Sequence, residues 1–207
     1  MEQIANQIFL RGSLNELPTF SHENHGRRFF RFLLEVPRLS GTVDILPVVA
    51  EERVLGALDP TGGEMLTISG QIRSHNVRVD GLRRLLIFVF AAQIWTEDGA
   101  AINEVALAGN LCKEPIYRRT PLGREICDIM LAVPRAFHRA DYLPCILWGR
   151  TALEVSRCHI RDTVSIQGRL QSRIYMKQTQ AGLEERTAYE ISALSAQVLQ
   201  QTPENQT

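Results

Sequence analysis

An internal repeat limits what this chain can fold into. Residues 6–47 overlay residues 103–144 without a gap at a constant offset of 97, and after one inserted residue the match resumes at an offset of 98. A solenoid unit typically spans only roughly 20 to 50 residues, so the repeat predicts a whole domain present twice. The first-copy positions that meet the same residue type in the second copy are Asn6, Leu10, Gly12, Leu14, Pro18, Gly26, Arg27, Leu34, Val36, Pro37, Arg38, Asp44, Leu46, Pro47, Ile68, Gly70 and Ser74.

The length of the chain agrees with two domains. The sequence has 207 residues, of which 44% are hydrophobic and 22% charged. Domains commonly hold about 100 to 150 residues, and this composition is typical of a globular chain with a buried core in each half. We predict domains over residues 1–98 and 99–199, followed by a polar tail at residues 200–207.

The charge of the chain is balanced, so it does not by itself indicate a polyanionic partner. Residues 1–98 carry 10 basic and 12 acidic side chains, and residues 99–207 carry 13 and 11. Only Lys113 and Lys177 are lysines among the 23 cations. Arginine stacks on bases and forks to phosphate oxygens, so this bias weakly favours nucleic-acid contact, although a high-GC genome would produce it too.

Several classes of protein are disfavoured by missing motifs. There is no phosphate-binding loop, nucleophile elbow or H-E-x-x-H pair, so we expect no enzyme and no cofactor. The four cysteines all lie in the second copy without a C-x-x-C pair, which favours buried thiols over a metal site. The longest apolar run, residues 85–92, is far shorter than the roughly 20 residues that span a bilayer, and no signal peptide precedes the first copy. We therefore expect a soluble, cytoplasmic protein.

Alternating side chains predict the strands. In residues 7–14 the apolar or small residues fall at every second position, and residues 105–111 repeat this pattern. Each copy has a glycine on the inward face of this strand, Gly12 or Gly109, which suggests a close backbone approach in a small, strongly coiled barrel.

The remaining segments complete the same plan in both copies. Residues 151–158 fit a short helix with one apolar side, as residues 51–58 do in the first copy, and Pro144 suggests an edge or a bulge in the third strand. Asp80-Gly81 predicts a tight turn between the last two strands of the first copy. The other predicted strands are 29–36, 65–74 and 83–94 in the first copy, and 126–133, 141–148, 163–170 and 188–199 in the second.

Three strands, a helix and two strands are the plan of the OB-fold, a five-stranded Greek-key barrel. We predict an all-β chain of two tandem five-stranded OB-fold barrels, each with a short helix between strands three and four.

The second copy resembles the bacterial single-stranded-DNA-binding protein family over nearly all of residues 103–199. The matching residues, in order, are Asn103-x-Val-x-Leu-x-Gly-Asn110, Pro115, Gly123, Leu131-Ala-Val133, Asp141-Tyr142, Leu147-Trp-Gly-Arg-x-Ala152, Val164-x-Ile-x-Gly-Arg-Leu170, Arg173-x-Tyr175 and Tyr189-x-Ile191. No single piece is diagnostic, but the pieces occur in the family's order.

The resemblance implies a groove in which aromatic side chains stack on bases and cations contact phosphates. The aromatic positions of the family fall here on Phe137, Tyr142, Trp148 and Tyr175, the last at the start of a loop that we expect over residues 174–187. Base stacking is worth about 1 to 3 kcal/mol per base. Trp148 fits a barrel core equally well. The candidate cations are Arg118, Arg119, Arg135, Arg139, Arg150, Arg169, Arg173 and Lys177.

The first copy departs from this pattern. At the equivalents of the four aromatics stand Ser40, Ile45, Ala50 and Val77, so we expect a barrel that kept its frame and lost its ligand platform. The family's acidic C-terminal tail, which recruits other proteins, is missing at residues 202–207.

Two hypotheses follow from these features. In the first, the second barrel binds single-stranded DNA with little sequence preference in replication, recombination or repair, close to the nucleoid. In the second, the chain is a primosome-like protein-interaction or assembly factor that binds DNA weakly or not at all. Because family members generally assemble four barrels, the resemblance also implies a homodimer.

Overall fold

The computed structural model describes residues 6–56, 58, 62–79, 81–179 and 182–200. Its elements follow the repeat, with six strands and one short helix in each half. The first half contains β1 (Asn6–Leu14), β2 (Thr19–Asn24), β3 (Arg27–Pro37), β4 (Val43–Glu51), α1 (Glu52–Leu55), β5 (Met65–Val79) and β6 (Leu82–Thr96). The second half contains β7 (Ile102–Leu111), β8 (Ile116–Arg119), β9 (Glu125–Arg135), β10 (Arg139–Trp148), α2 (Gly149–Val155), β11 (Thr163–Thr179) and β12 (Gly182–Gln200).

The all-β prediction is confirmed, with one short strand added to each half. β2 pairs with β3, and β8 pairs with β9, both antiparallel. No side chain of β2 or β8 is buried, so neither strand has the alternation that revealed the others. Each half thus extends the expected barrel by one exposed strand.

One continuous sheet joins the two halves. β1 pairs antiparallel with β7, from Asn6 opposite Leu107 to Arg11 opposite Ile102. The strand order across the described residues is β2-β3-β4-β6-β5-β1-β7-β11-β12-β10-β9-β8, and the additional pairs β1–β3 and β7–β9 curl each half on itself. The repeat is therefore also a near-symmetry of the structure.

The inward glycines lie where the backbone approaches most closely, as predicted. A Cβ atom on Gly109 would stand 2.7 Å from the carbonyl oxygen of Ala132. A Cβ on Gly12 would collide with the carbonyl of Glu35, which is the same place in the first half. Only a residue without a side chain allows β1 and β7 to coil this tightly against their neighbours.

Some predicted boundaries were wrong. Helix α2 begins at Gly149, two residues earlier than expected, and buries Ala152 and Val155. The expected loop over residues 174–187 is instead a paired hairpin, in which β11 and β12 remain in register from Ile174 opposite Thr187 to Thr179 opposite Gly182. Its side chains are mostly exposed on both sides, so no hydrophobic alternation marks it as a strand. The predicted turn of the first half includes Asp80, which lies outside the described residues. Residues 201–207 of the predicted tail also lie outside them.

Pro144 lies where β10 has a neighbour on one side only. β10 pairs with β9 along its whole length, but its pairing with β12 is limited to Cys145 and Ile146. The prediction of an edge position for Pro144 is therefore confirmed, since this stretch requires no N–H donor toward β12.

Two buried aspartates at equivalent positions connect the halves. Asp141 in β10 accepts the N–H of Ser74 in β5 at 2.7 Å, and Asp44 in β4 accepts the N–H of Ser172 in β11, also at 2.7 Å. Both carboxylates are fully buried. The free edge of β10 is thereby covered by the first half, and the equivalent edge of β4 by the second.

Candidate nucleic-acid interface

The outward side chains of β8 to β12 cover the outside of the second half, which we call the outer face of the second half. In β10 the inward positions are fully or almost fully buried, whereas Tyr142 and Trp148 point outward. Adjacent strands contribute outward residues through the register, for example Asp128 and Ser192 on either side of Ile146. The outward positions thus mix apolar and polar side chains, and Ile146 and Ser192 among them are almost fully buried.

Tyr142 and Trp148 occupy the two ends of the outward row of β10. They are 44% and 38% exposed, so both rings are accessible. The indole Nε1 of Trp148 donates to Ser192 Oγ at 3.2 Å, which fixes the ring against β12. Of the two alternatives for Trp148, the structure places it on the outer face and outside the barrel core.

Tyr175 lies in β11 and not at the start of a loop. Arg173, two residues earlier on the same outward row, holds its guanidinium carbon 5.6 Å from the Tyr175 ring centroid. Strand alternation places Arg169 on this row too. β11 therefore brings a ring and cations together on the outer face.

Phe137 lies at the tip of the β9–β10 turn and is 89% exposed. It has a φ of 61° and His138 has a φ of 54°, both in the left-handed region that side chains rarely adopt. β10 begins at Arg139, and Tyr142 lies three residues, or about 10 Å, further along the strand. Phe137 precedes Arg139 in the turn, so it lies more than about 10 Å from Tyr142 along the strand direction. The four predicted aromatics lie on one half but do not form a single compact cluster.

Most of the predicted cations already have acidic neighbours. The pairs are Arg118–Asp128 at 2.7 Å, Arg119–Glu125 at 3.0 Å, Arg135–Asp141 at 3.3 Å, Arg150–Glu154 at 2.8 Å and Arg173–Glu190 at 3.6 Å. Bonds to these carboxylates raise the pKa of Arg118 and of Arg119. Exposed ion pairs are worth about 0 to 1 kcal/mol, so an incoming phosphate can replace such a partner at small cost.

The predicted cations do not all share the outer face. Arg119 faces the opposite side of β8 from Arg118, and Arg150 lies on α2. Arg135 contacts Asp141 at the junction of the halves. Arg139 and Lys177 are exposed, and the Nε of Arg169 is buried without a hydrogen-bond partner among the described residues.

The equivalent surface of the first half is not free of aromatic rings, although its composition differs. The sheet register places Glu51, and not Ala50, at the position of Trp148, because Glu51 pairs with Phe29 as Trp148 pairs with Ile126. The exposed His22 ring stacks on Phe29 at 4.8 Å, and Phe29 contacts Phe90 at 6.1 Å. These rings lie at other places on the same face than the equivalents of Phe137, Tyr142, Trp148 and Tyr175, so the sequence pattern at those four positions did not reveal them.

The described residues contain no group of three or more His, Cys, Asp or Glu side chains that could hold a metal ion. Burial raises the pKa of the Cys127 thiol to about 11 and that of Cys145 still further. Among the described helices, none is both long and apolar enough to cross a bilayer.

A family model and several curated relatives match part of the chain. The model of the single-strand binding protein family matches residues 102–199. Single-stranded DNA-binding protein B of Bacillus subtilis (strain 168) is 38% identical over 80 residues, which is 35% of this chain and 71% of that protein. Single-stranded DNA-binding protein 1 of Staphylococcus aureus (strain COL) is 37% identical over 84 residues, which is 37% of this chain and 50% of that protein.

A solved structure matches both halves. A deletion mutant of the single-stranded DNA binding protein from Thermus aquaticus superposes with a TM-score of 0.78 at 24% identity, covering 99% of this chain and all of that one. At that identity the likeness shows the fold alone, which is shared from the first strand to the last. Since the family model matches the second half, and a relative 38% identical is covered over 71% of its length, the chain belongs to the single-strand binding protein family.

Proposed function

We propose that this chain binds single-stranded DNA on the outer face of its second half, with little preference for base sequence. One observation carries the proposal: β10 and β11 present Tyr142, Trp148 and Tyr175 outward, with Arg173 against the Tyr175 ring. These residues lie within the part that matches the family. Every base offers a flat π-face, so stacking on such rings tolerates any sequence.

The cations complete this site. We propose phosphate contacts from Arg118, Arg169, Arg173 and Lys177, which strand alternation gives the same side as the rings, and from the exposed Arg139 at the start of β10. Phosphate contacts release counterions from the DNA, so affinity falls as salt rises. In this proposal the chain acts in replication, recombination or repair, and the assembly-factor alternative is not favoured, because the relatives are named for binding single-stranded DNA.

The test is a titration of dT oligomers with the Tyr142→Ala, Tyr175→Ala double variant at fixed salt. Loss of two stacking rings removes at least about 2 kcal/mol, which is roughly a thirtyfold weaker Kd. Tyr117→Ala is the matched control, because Tyr117 is also exposed but faces the opposite side of β8 from Arg118. Unchanged affinity in the double variant would reject the stacking site.

The proposal extends to assembly, to location and to the absence of catalysis. We expect two chains to associate as a homodimer with four barrels, supported by the near-symmetric pairing of two barrels inside each chain. Light scattering should give twice the 23.4 kDa of one chain, and a mass of one chain would reject the homodimer. We further propose a cytoplasmic protein, associated with the nucleoid, that catalyses no reaction and whose domains meet near residue 98.

A further inference from the structure

The β5–β6 hairpin of the first half is anchored beside Tyr142 of the second. Ser74 Oγ accepts the Tyr142 N–H at 2.7 Å, and the N–H of Ser74 is bonded in return to Asp141. Arg73 Nη1 lies 3.1 Å from Asp141 Oδ2. A backbone hydrogen bond thus ties a proposed stacking residue directly to the other half.

This hairpin is strongly cationic. β5 and β6 contain four arginines and neither aspartate nor glutamate. The equivalent strands β11 and β12 contain four cations and three glutamates. The net charge is therefore +4 in the first pair of strands and +1 in the second, and Asp80 between β5 and β6 in the sequence lowers the total for residues 65–96 to +3. The more positive hairpin therefore lies outside residues 102–199, which the family model matches.

Two of these arginines lie toward the tip of the hairpin. Arg78 and Arg83 are direct cross-strand partners, and both are exposed. Arg78 is four residues beyond Ser74 on the same side of β5, which is about 13 Å along the strand. The ion pairs of the described residues include neither arginine, whereas Arg118, Arg119, Arg135, Arg150, Arg173 and Arg186 of the second half each have one.

The two hairpins differ in charge at this cross-strand pair and in the residue beside which each is anchored. At the places of Arg78 and Arg83 the second hairpin has Met176 and Glu185. That second hairpin is anchored beside Ile45, whose N–H donates to Ser172 Oγ at 3.1 Å. At this cross-strand pair the hairpin anchored beside Ile45 therefore carries one apolar and one acidic residue, whereas the hairpin anchored beside Tyr142 carries two arginines.

We propose that the β5–β6 hairpin is the cationic wall of the DNA site on the second half. Arg78 and Arg83 bind the phosphates of a strand whose bases stack on Tyr142 and its neighbours. This inference rests on the proposed function and extends it, because the site then needs both halves of the chain. The first half is a contributor of phosphate contacts and not only a structural partner.

The test compares two double variants that remove the same charge. Arg78→Gln with Arg83→Gln removes the proposed contacts, and Arg157→Gln with Arg161→Gln removes two exposed charges beyond helix α2. Each phosphate contact contributes about 0.7 to the slope of log Kobs against log salt for single strands. We expect the first variant to lower that slope by about 1.4 and to weaken dT binding on the order of ten- to thirtyfold at 0.1 M salt.

The outcomes separate this inference from the proposed function. If the wild-type chain binds dT oligomers and the Arg78, Arg83 variant matches the Arg157, Arg161 control, the cationic wall is wrong while DNA binding stands. If the wild-type chain does not bind dT at low salt, the proposed function itself fails. A circular dichroism melt equal to that of the wild type establishes that the variant folds, and both arginines are exposed, so we expect it to pass.

Discussion

Replacing Asp141 by asparagine tests the junction that connects the two halves. The Asp141 carboxylate is fully buried and accepts the N–H of Ser74 at 2.7 Å. It also faces two guanidinium groups, Arg73 at 3.1 Å and Arg135 at 3.3 Å. Asparagine keeps the shape and one acceptor oxygen, but it removes the negative charge that these arginines require.

The structure sets the size of the effect. Removing one partner of a buried ion pair typically costs about 3 to 5 kcal/mol. Here the Arg73 and Arg135 side chains are 19% and 31% exposed, so each can turn partly to water. We therefore expect Asp141→Asn to lower the free energy of unfolding by about 2 to 4 kcal/mol.

Urea denaturation measures this change. With an m-value of about 2 kcal/mol per molar urea, the midpoint should fall by about 1 to 2 M. The control is Glu154→Gln, which breaks an exposed i,i+4 pair with Arg150 and should cost at most about 0.5 kcal/mol. If Asp141→Asn were as mild as this control, the junction would not hold the halves together in the way described.

Two further predictions concern the core of the second half. Gly109→Ala places a methyl group 2.7 Å from the carbonyl oxygen of Ala132, a backbone atom that cannot turn aside. We expect it to lower the free energy of unfolding by about 1 to 3 kcal/mol in the same urea titration. An unchanged free energy of unfolding would contradict the close approach. Iodoacetamide at pH 8 should label the partly exposed Cys112 first and leave Cys127 and Cys145 unreacted until urea is added, because burial raises both pKa values and only the thiolate reacts. Mass spectrometry would count the adducts, and rapid labelling of Cys127 in the folded chain would refute this protection.

The sequence predicts those parts of the fold in which burial is periodic. Alternation at Ile8, Leu10 and Leu14 gave the first strand because every second side chain of β1 enters the core. The extra strand β2 and the 174–187 hairpin escaped prediction because their side chains are largely exposed on both faces. Register along exposed strands is fixed by hydrogen bonds to neighbours, which a single-sequence pattern does not display.

The candidate site, too, could be predicted from the sequence only in part. The rings of Tyr142 and Tyr175 were found through the family pattern, and the structure places both on the outer face. The contact of Ser74 with Asp141 joins residues 67 positions apart and has no local signature. The repeat nevertheless marked these positions, because Asp44 and Ser74 are polar residues that recur in the second copy as Asp141 and Ser172. The two equivalent contacts, Ser74 with Asp141 and Ser172 with Asp44, explain why both recur.

The most direct test of the central claim is fluorescence quenching of Trp148 by dT oligomers. The chain has two tryptophans, and Trp95→Phe leaves Trp148 as the only one. Trp95 packs on Phe9 in the first half, away from the outer face, and phenylalanine retains that ring contact. We expect saturable quenching of Trp148 at low salt that is reversed as salt rises. Constant Trp148 emission together with no gel shift at low salt would contradict single-stranded DNA binding on this face.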